Sequence, residues 1–276
     1  WGLGYYDGKI ILTLKTLIRK GIELTGYTIH KIKPVEPVEP VEPVETDPLD
    51  TYNQDGLSSV HNHDFMLDQE FSRAYARGVL ACEQDYFWHW RVHIGLWAAY
   101  TASKLEGDFV ECGVNRGFLS SSIMEYLDWG ALDKIFYLMD TFSGLDEKYV
   151  SKEERLQGVL ERNESDFYTH NIELVEHNFS QWNNVQIIVG AIPETLNEVK
   201  AEKIAFLHLD MNCAPPEVAA FNHFWDALVP GAFVLLDDYA YKGYELQKRA
   251  MDIAASARSL KIVSLPTGQG LLIKPS

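Results

Sequence analysis

The chain has 276 residues, 46% of them hydrophobic, and a formal net charge of −16. That apolar content supports one sizeable core plus an appendage, and the acidity excludes a nucleic-acid partner reached through a general basic surface. Cys82, Cys112 and Cys213 lie far apart and match no zinc spacing, so they suit a reducing, cytoplasmic setting better than a disulfide framework.

No run approaches the roughly 18 apolar residues of a membrane span, and no signal-peptide pattern is present. A start at Trp1, without methionine, is what a processed or trimmed chain would show. Residues 1–33 form an N-terminal appendage in which Ile10, Ile11, Leu14, Leu17, Ile18 and Ile22 recur at helical spacing beside Lys9, Lys15, Arg19 and Lys20. Two roles stay open for this amphipathic segment: peripheral membrane contact through residues 9–22, or docking on a neighbouring subunit of a homo-oligomer. Residues 34–50 are a linker, in which Pro-Val-Glu repeats four times over 34–45. Proline at every third position forbids helix and sheet ladders and leaves an extended, solvated spacer.

Residues 51–106 read as a helical cap segment, with helix over 64–106. Its aromatic cluster (Tyr86, Phe87, Trp88, Trp90, Trp97 and Tyr100) is expected in a core, with Arg91 as a satisfied buried partner rather than a catalyst. From 107 to 276 strand and helix patterns alternate. Strands are predicted near 108–112, 135–139, 185–189, 204–209, 232–236, 261–265 and 270–274. Helices are predicted near 117–128, 171–182, 193–199, 216–228 and 243–258. The last two strands are joined only by Pro266-Thr267-Gly268-Gln269, too short for a parallel crossover. The fold class is therefore α/β: a seven-stranded, doubly wound, mainly parallel sheet with an antiparallel last strand.

The densest local signal is Val110-Glu111-Cys112-Gly113-Val114-Asn115-Arg116-Gly117. It has an acidic strand end, a glycine turn and then a helix whose first N–H groups are free, a joint suited to a nucleotide-like cofactor. It is not the dinucleotide fingerprint, because the third glycine would fall on Phe118. Later strands also end in acids: Asp140, Asp210, and Asp237-Asp238. In an open α/β sheet ligands bind outside those ends. Asp140 suits the two hydroxyls of a ribose. Asp210, Asp237 and Asp238 on adjacent ends would repel one another unless a cation such as Mg²⁺ joined them.

Four segments in order then carry a resemblance: Glu111 to Gly117, Met139-Asp140-Thr141-Phe142-Ser143-Gly144-Leu145, Gly190-Ala191-Ile192-Pro193-Glu194-Thr195-Leu196, and Pro230 to Tyr239. Over about residues 64–274 the chain resembles the macrocin O-methyltransferase (TylF-like) family, class I enzymes that use S-adenosylmethionine. The resemblance implies that Glu111 and Gly113 contact the methionine half of the cofactor. It implies that Asp140 holds the ribose and that Gly190 and Ala191 border the adenine. Asn115, Gly117 and Thr141 belong to the same implied cofactor site. Asp210, Asp237 and Asp238 would bind magnesium, which orients a sugar diol.

One departure stands out. The family's usual Asp-Gly-Asp reads Asp210-Met211-Asn212 here, and an amide takes up no proton at ordinary pH. Asp210, Asn212 and His170 are the expected catalytic residues, with His223 a further source of a base. The charged stretch 143–170 is expected to act as a lid. The expected function is O-methylation of a sugar hydroxyl on a glycan or secondary metabolite. The alternative is a non-catalytic cofactor-binding or interaction protein, motivated by Asn212. An NAD-dependent dehydrogenase is disfavoured by the missing glycine and the antiparallel last strand.

Overall fold

The computed structural model describes residues 51–163 and 168–276. The amphipathic segment 9–22 and the Pro-Val-Glu linker 34–50 lie outside the described residues, as does part of the charged stretch 143–170. Among the described residues no helix is long and apolar enough to cross a membrane.

A hairpin of β1 (Tyr52–Gln54) and β2 (Leu57–Ser59) comes first. Its turn is Asp55-Gly56, with φ of 49° and 70°. Two left-handed residues in a row match the right-handed twist of the flanking strands, and an Asp-Gly pair adopts them readily. Sequence reading missed this hairpin, because neither three-residue strand is long enough to show a period. Helices α1 (Gln69–Cys82) and α2 (His89–Ala102) follow, the first capped by Asp68, whose carboxylate accepts the Phe71 N–H at 2.9 Å.

The main sheet has β3 (Asp108–Cys112), β4 (Phe136–Asp140), β5 (Val185–Val189), β6 (Ile204–Leu209), β7 (Leu228–Leu236), β8 (Val263–Ser264) and β9 (Gly270–Ile273). Its order is β5-β4-β3-β6-β7-β9-β8, and β9 runs antiparallel to both its neighbours. The five strands β3 to β7 are parallel. Between them lie α3 (Phe118–Tyr126), α4 (Lys152–Leu156), α5 (Val159–Asn163), α6 (Ile172–Phe179) and α7 (Ala214–Phe224), and α8 (Glu245–Ser256) precedes β8.

Period-2 alternation sends successive strand residues to two separate cores. Phe109, Leu138, Phe206, Phe233 and Leu235 pack with α1, α2, α3 and α6, through Phe71, Leu96, Phe118 and Phe179. Val110, Met139, Leu207, Val234 and Leu236 pack with α7 and α8, through Phe221 and Met251. The segment 51–106 therefore supplies one covering layer of the sheet and shares its core.

Several predicted elements differ from those observed. The helix expected over 64–106 is a 3₁₀ turn, Asp64–Leu67, followed by α1 and α2, broken where Glu83 turns left-handed at φ 58°, and the strand expected near 261–265 is only Val263–Ser264. The helix expected at 193–199 is only a 3₁₀ turn, Leu196–Glu198. Buried Ile192 and Leu196 pin both ends of this short stretch, and Thr195 Oγ1 donates to the Ala191 carbonyl at 3.2 Å. The strand expected at 232–236 begins at Leu228: a register shift opposite Ile204 and Phe206 accommodates Pro230 and Gly231 as a bulge. The helix expected at 216–228 starts at Ala214 instead, with proline in its first turn, and stops at Phe224.

Candidate active site

The same alternation that divides the core also builds the site. Phe109 and Glu111 share a face of β3, Phe206 and His208 a face of β6, and the register pairs Glu111 with His208. Continued past the strand ends, that face carries Asp210 and Asp237, under α2. A polar ladder thus caps an otherwise aromatic core. His208 Nδ1 is 2.8 Å from Glu111 Oε1, and its Nε2 is 3.8 Å from Asp237 Oδ1. Burial opposes an imidazolium there, but the two carboxylates outweigh it and raise the pKa of His208 to about 10. Glu111 Oε2 is buried with no hydrogen-bond partner among the described residues.

One oxygen each from Asp210, Asp237 and Asp238 lies within 4.8 Å of the others. Burial disfavours charge on all three. Arg91 and His208 overcome it at Asp237 and hold that carboxyl below its usual range, whereas mutual repulsion adds to burial at Asp210 and Asp238 and pushes both up. Hard carboxylate donors with unrelieved repulsion fit a divalent cation such as Mg²⁺. Arg91 of α2 already reaches into the cluster. Its Nη1 donates to the Asp237 carboxylate, and its Nε donates to Asp55 at the hairpin tip at 3.2 Å. Arg91 is thus the satisfied buried partner that the sequence predicted, but its partners are the site's own acids.

Two clefts open at the carboxyl ends of the strands. One encloses about 600 Å³ of open space and is lined by Asp140, Thr141, Gly190 and Ala191 with apolar Met139 and Ile192. The other encloses about 1100 Å³ and is lined by Glu111 and Asn115, by Arg91 with the acids, and by Trp88 and Tyr241. Gly113, Asp140, Tyr168, Asp210 and Asn212 line both, so the clefts are continuous.

Asp140 does more than border a ligand. Its Oδ2 accepts the Val114 and Asn115 N–H groups at 2.7 and 2.8 Å, and its Oδ1 accepts the Phe142 N–H at 2.8 Å. The carboxylate therefore shapes the glycine loop. Gly113, at φ 91°, is required by the protein itself, since a Cβ there would collide with the Asp210 carbonyl. Asn115 Oδ1 accepts the Thr169 N–H at 2.8 Å, which ties the segment after 167 to the loop. Thr141 Oγ1 donates to the Gly144 carbonyl at 2.6 Å, and the Gly190 N–H donates to the Asp140 carbonyl at 2.8 Å.

Several expectations meet a different geometry. Gly117 lines neither cleft, and its missing Cβ makes room for the Phe179 ring. His170 is exposed beside Gly144 and lines neither cleft, because the chain turns outward after Thr169. His223 is exposed in the last turn of α7. Neither histidine is placed to take a proton in the clefts. Asn212, left-handed at φ 54°, does line both.

The aromatic cluster divides. Tyr86 and Trp88 line the larger cleft, while Trp97 and Tyr100 are half exposed on α2. Glu154, read as part of a charged surface, is buried. It completes a capping box with Ser151 and accepts the Ala214 N–H at 2.7 Å, anchoring α4 to the start of α7. Sequence reading missed Asp55, His208 and Tyr241 as site residues. A histidine inside Phe206-Leu207-His208-Leu209, in a fully buried strand, was the available signal for one of them.

A model of the macrocin O-methyltransferase (TylF) family matches residues 96–259. The chain is 29% identical, over 152 residues, to the 8-demethyl-8-(2,3-dimethoxy-alpha-L-rhamnosyl)-tetracenomycin-C 4'-O-methyltransferase of Streptomyces olivaceus, covering 50% of this chain and 55% of that protein. It is 26% identical, over 145 residues, to the mycinamicin III 3''-O-methyltransferase of Micromonospora griseorubida, covering 48% and 55%. The matched stretch thus spans little more than half the length of these curated relatives. Among solved structures, the fold is similar to the O-methyltransferase NovP, with a TM-score of 0.59 at 19% identity over 67% of this chain and 80% of that one. It is also similar to the calicheamicin methyltransferase CalS11, with a TM-score of 0.53 at 15% identity over 78% and 94%. At these identities the two structures speak for the fold alone.

Proposed function

Because the chain belongs to the macrocin O-methyltransferase (TylF) family, we propose that it transfers a methyl group from S-adenosylmethionine to a sugar hydroxyl of a glycan or secondary metabolite, with the help of Mg²⁺. The observation that carries this reading is the continuity of the two clefts through Gly113, Asp140, Tyr168, Asp210 and Asn212. A cofactor in one and an acceptor in the other would meet above those residues. The sugar part is supported by a relative whose name specifies a rhamnosyl compound.

The cofactor supplies a methyl group on a positively charged sulfur, and a divalent cation supplies Lewis acidity that makes a hydroxyl more acidic. The chain supplies the placement. Asp140 fixes the glycine loop and offers its carboxylate to the ribose. Apolar Met139 and Ile192 would flank an adenine beside Gly190 and Ala191. The unpartnered Oε2 of Glu111 would be the acceptor for the ammonium of the methionine half. Asp210, Asp237 and Asp238 form the cation site, and Trp88 and Tyr241 give a sugar ring apolar walls that exclude water. Asn212 orients the acceptor through its amide but takes no proton, so deprotonation falls to the carboxylate cluster. The segment 143–170 acts as the lid, held to α7 by Glu154.

A second reading, cofactor binding without turnover, is favoured by Asn212 and by the engagement of Asp237 with Arg91. Calorimetry with S-adenosylmethionine, with and without Mg²⁺, tests the cofactor site. Asp140→Ala is expected to weaken binding by about 30- to 1,000-fold, or about 2–4 kcal/mol, since it removes a charge-assisted acceptor and unclamps the glycine loop that shapes the site. Unchanged titration curves would sink the assignment. Transfer of a labelled methyl group to a panel of glycosides with adjacent hydroxyls separates the two readings. Tight cofactor binding with no transfer to any of them favours the second.

A further inference from the structure

We propose that Arg91 is a resident counter-cation of the carboxylate cluster: it pairs with Asp237, one of the three acids of the cation site, and so sets how tightly a divalent cation binds there. This rests on the cation site proposed above. Arg91 is only 6% exposed. Its Nη1 donates to the Asp237 carboxylate and, at 3.2 Å, to the Asp237 carbonyl. The same nitrogen is 3.7 Å from Asp238 Oδ1, longer than a hydrogen bond. Its Nε donates to Asp55 at 3.2 Å, and the rings of Trp88 and Tyr241 lie 5.7 and 5.2 Å from its centre.

A guanidinium is planar, permanently charged and weakly hydrated, so two carboxylates and two aromatic faces can hold it away from water. Three elements converge on it: the hairpin tip, α2 and the end of β7. Asp237 is engaged on both oxygens, since Gln269 Nε2 donates to its Oδ1 at 3.1 Å. Asp55 and Arg91 both lie before the segment 96–259 that the family model matches. A fixed unit charge about 5 Å from a dication lowers its affinity by about tenfold even with water-like screening.

The test is Mn²⁺ binding to the full chain, followed by calorimetry and by electron paramagnetic resonance of the free ion, for the wild type, Arg91→Met and Arg91→Lys. Thermal melting checks that each variant folds. Arg91→Met is expected to bind Mn²⁺ at least tenfold more tightly than the wild type, and Arg91→Lys, which keeps the charge, within about threefold of it. Arg91→Gln keeps a donor for Asp237 and gives the same neutral comparison should the methionine variant not fold. Equal or weaker binding by the neutral variants, or a lysine variant as tight as they are, overturns the inference while the cation site stands. No Mn²⁺ binding by the wild type or any variant removes the site and the inference together.

Discussion

At the residue scale, burial, reinforced by the negative charges of Asp238 and Glu154, sets the charge state of Glu217. It lies in the first turn of α7, where its Oε1 accepts the Met211 N–H at 3.2 Å and the Gln247 amide at 2.6 Å. Burial outweighs these donors and raises its pKa from 4.5 to about 8. The folded state therefore binds a proton that the unfolded state releases between those two pH values. Stability falls as pH rises through that window and levels off above it. Glu217→Gln keeps the accepting oxygen and removes the titration. Denaturant unfolding at pH 5 and pH 8.5 should show the variant gaining on the wild type by on the order of 1–4 kcal/mol at the higher pH. A gain that does not grow with pH would rule out a proton on Glu217.

The joint between β3 and α3 is the element on which the site depends. At the end of β3 the chain is held between its two neighbours: the Asp210 N–H, just past β6, donates to the Cys112 carbonyl at 2.8 Å, and the Gly113 N–H donates to the Met139 carbonyl of β4 at 2.8 Å. Gly113 combines a left-handed backbone, at φ 91°, with contact against the Asp210 backbone. Gly113→Ala is expected to destabilise by at least about 2 kcal/mol and to weaken cofactor binding, because both strain and collision fall on rigid main chain. A lower urea midpoint with an unchanged slope would report it, and an unchanged midpoint would refute it. The glycine was legible in the sequence as a turn residue, but its reason was not. The loop is tight against β6, and that proximity is a property of strand order.

At the scale of the whole molecule, the described residues that line the two clefts run from Asp55 to Tyr244. Removal of residues 1–47, the N-terminal appendage and most of the linker, should leave cofactor affinity within about twofold and the thermal transition almost unchanged, since the described cleft residues begin at Asp55. Calorimetry and melting of the shortened chain check this, and a loss of tenfold or more in affinity would place part of the site in residues 1–47. Pelleting of both forms with anionic liposomes tests the membrane role of residues 9–22 separately.

The sequence by itself determined the architecture. Short apolar strands, four of them with an acid at or beside the carboxyl end and separated by helical patterns, admit few arrangements other than a parallel sheet with its ligands at those ends. The four-residue link before β9 fixed the antiparallel strand. The order of the acids along the chain, Glu111, Asp140, Asp210, Asp237 and Asp238, was likewise readable, since strand ends are local features. What those acids touch was decided only by tertiary structure. Arg91 is 146 residues from Asp237, yet their side chains pair. Asp55 meets Arg91 through a hairpin too short to show a period, and His208 meets Glu111 across 97 residues by strand register. Local periodicity reports which face a residue takes. The charge balance of a buried cluster depends on which distant elements close over that face, and only the folded chain brings them together.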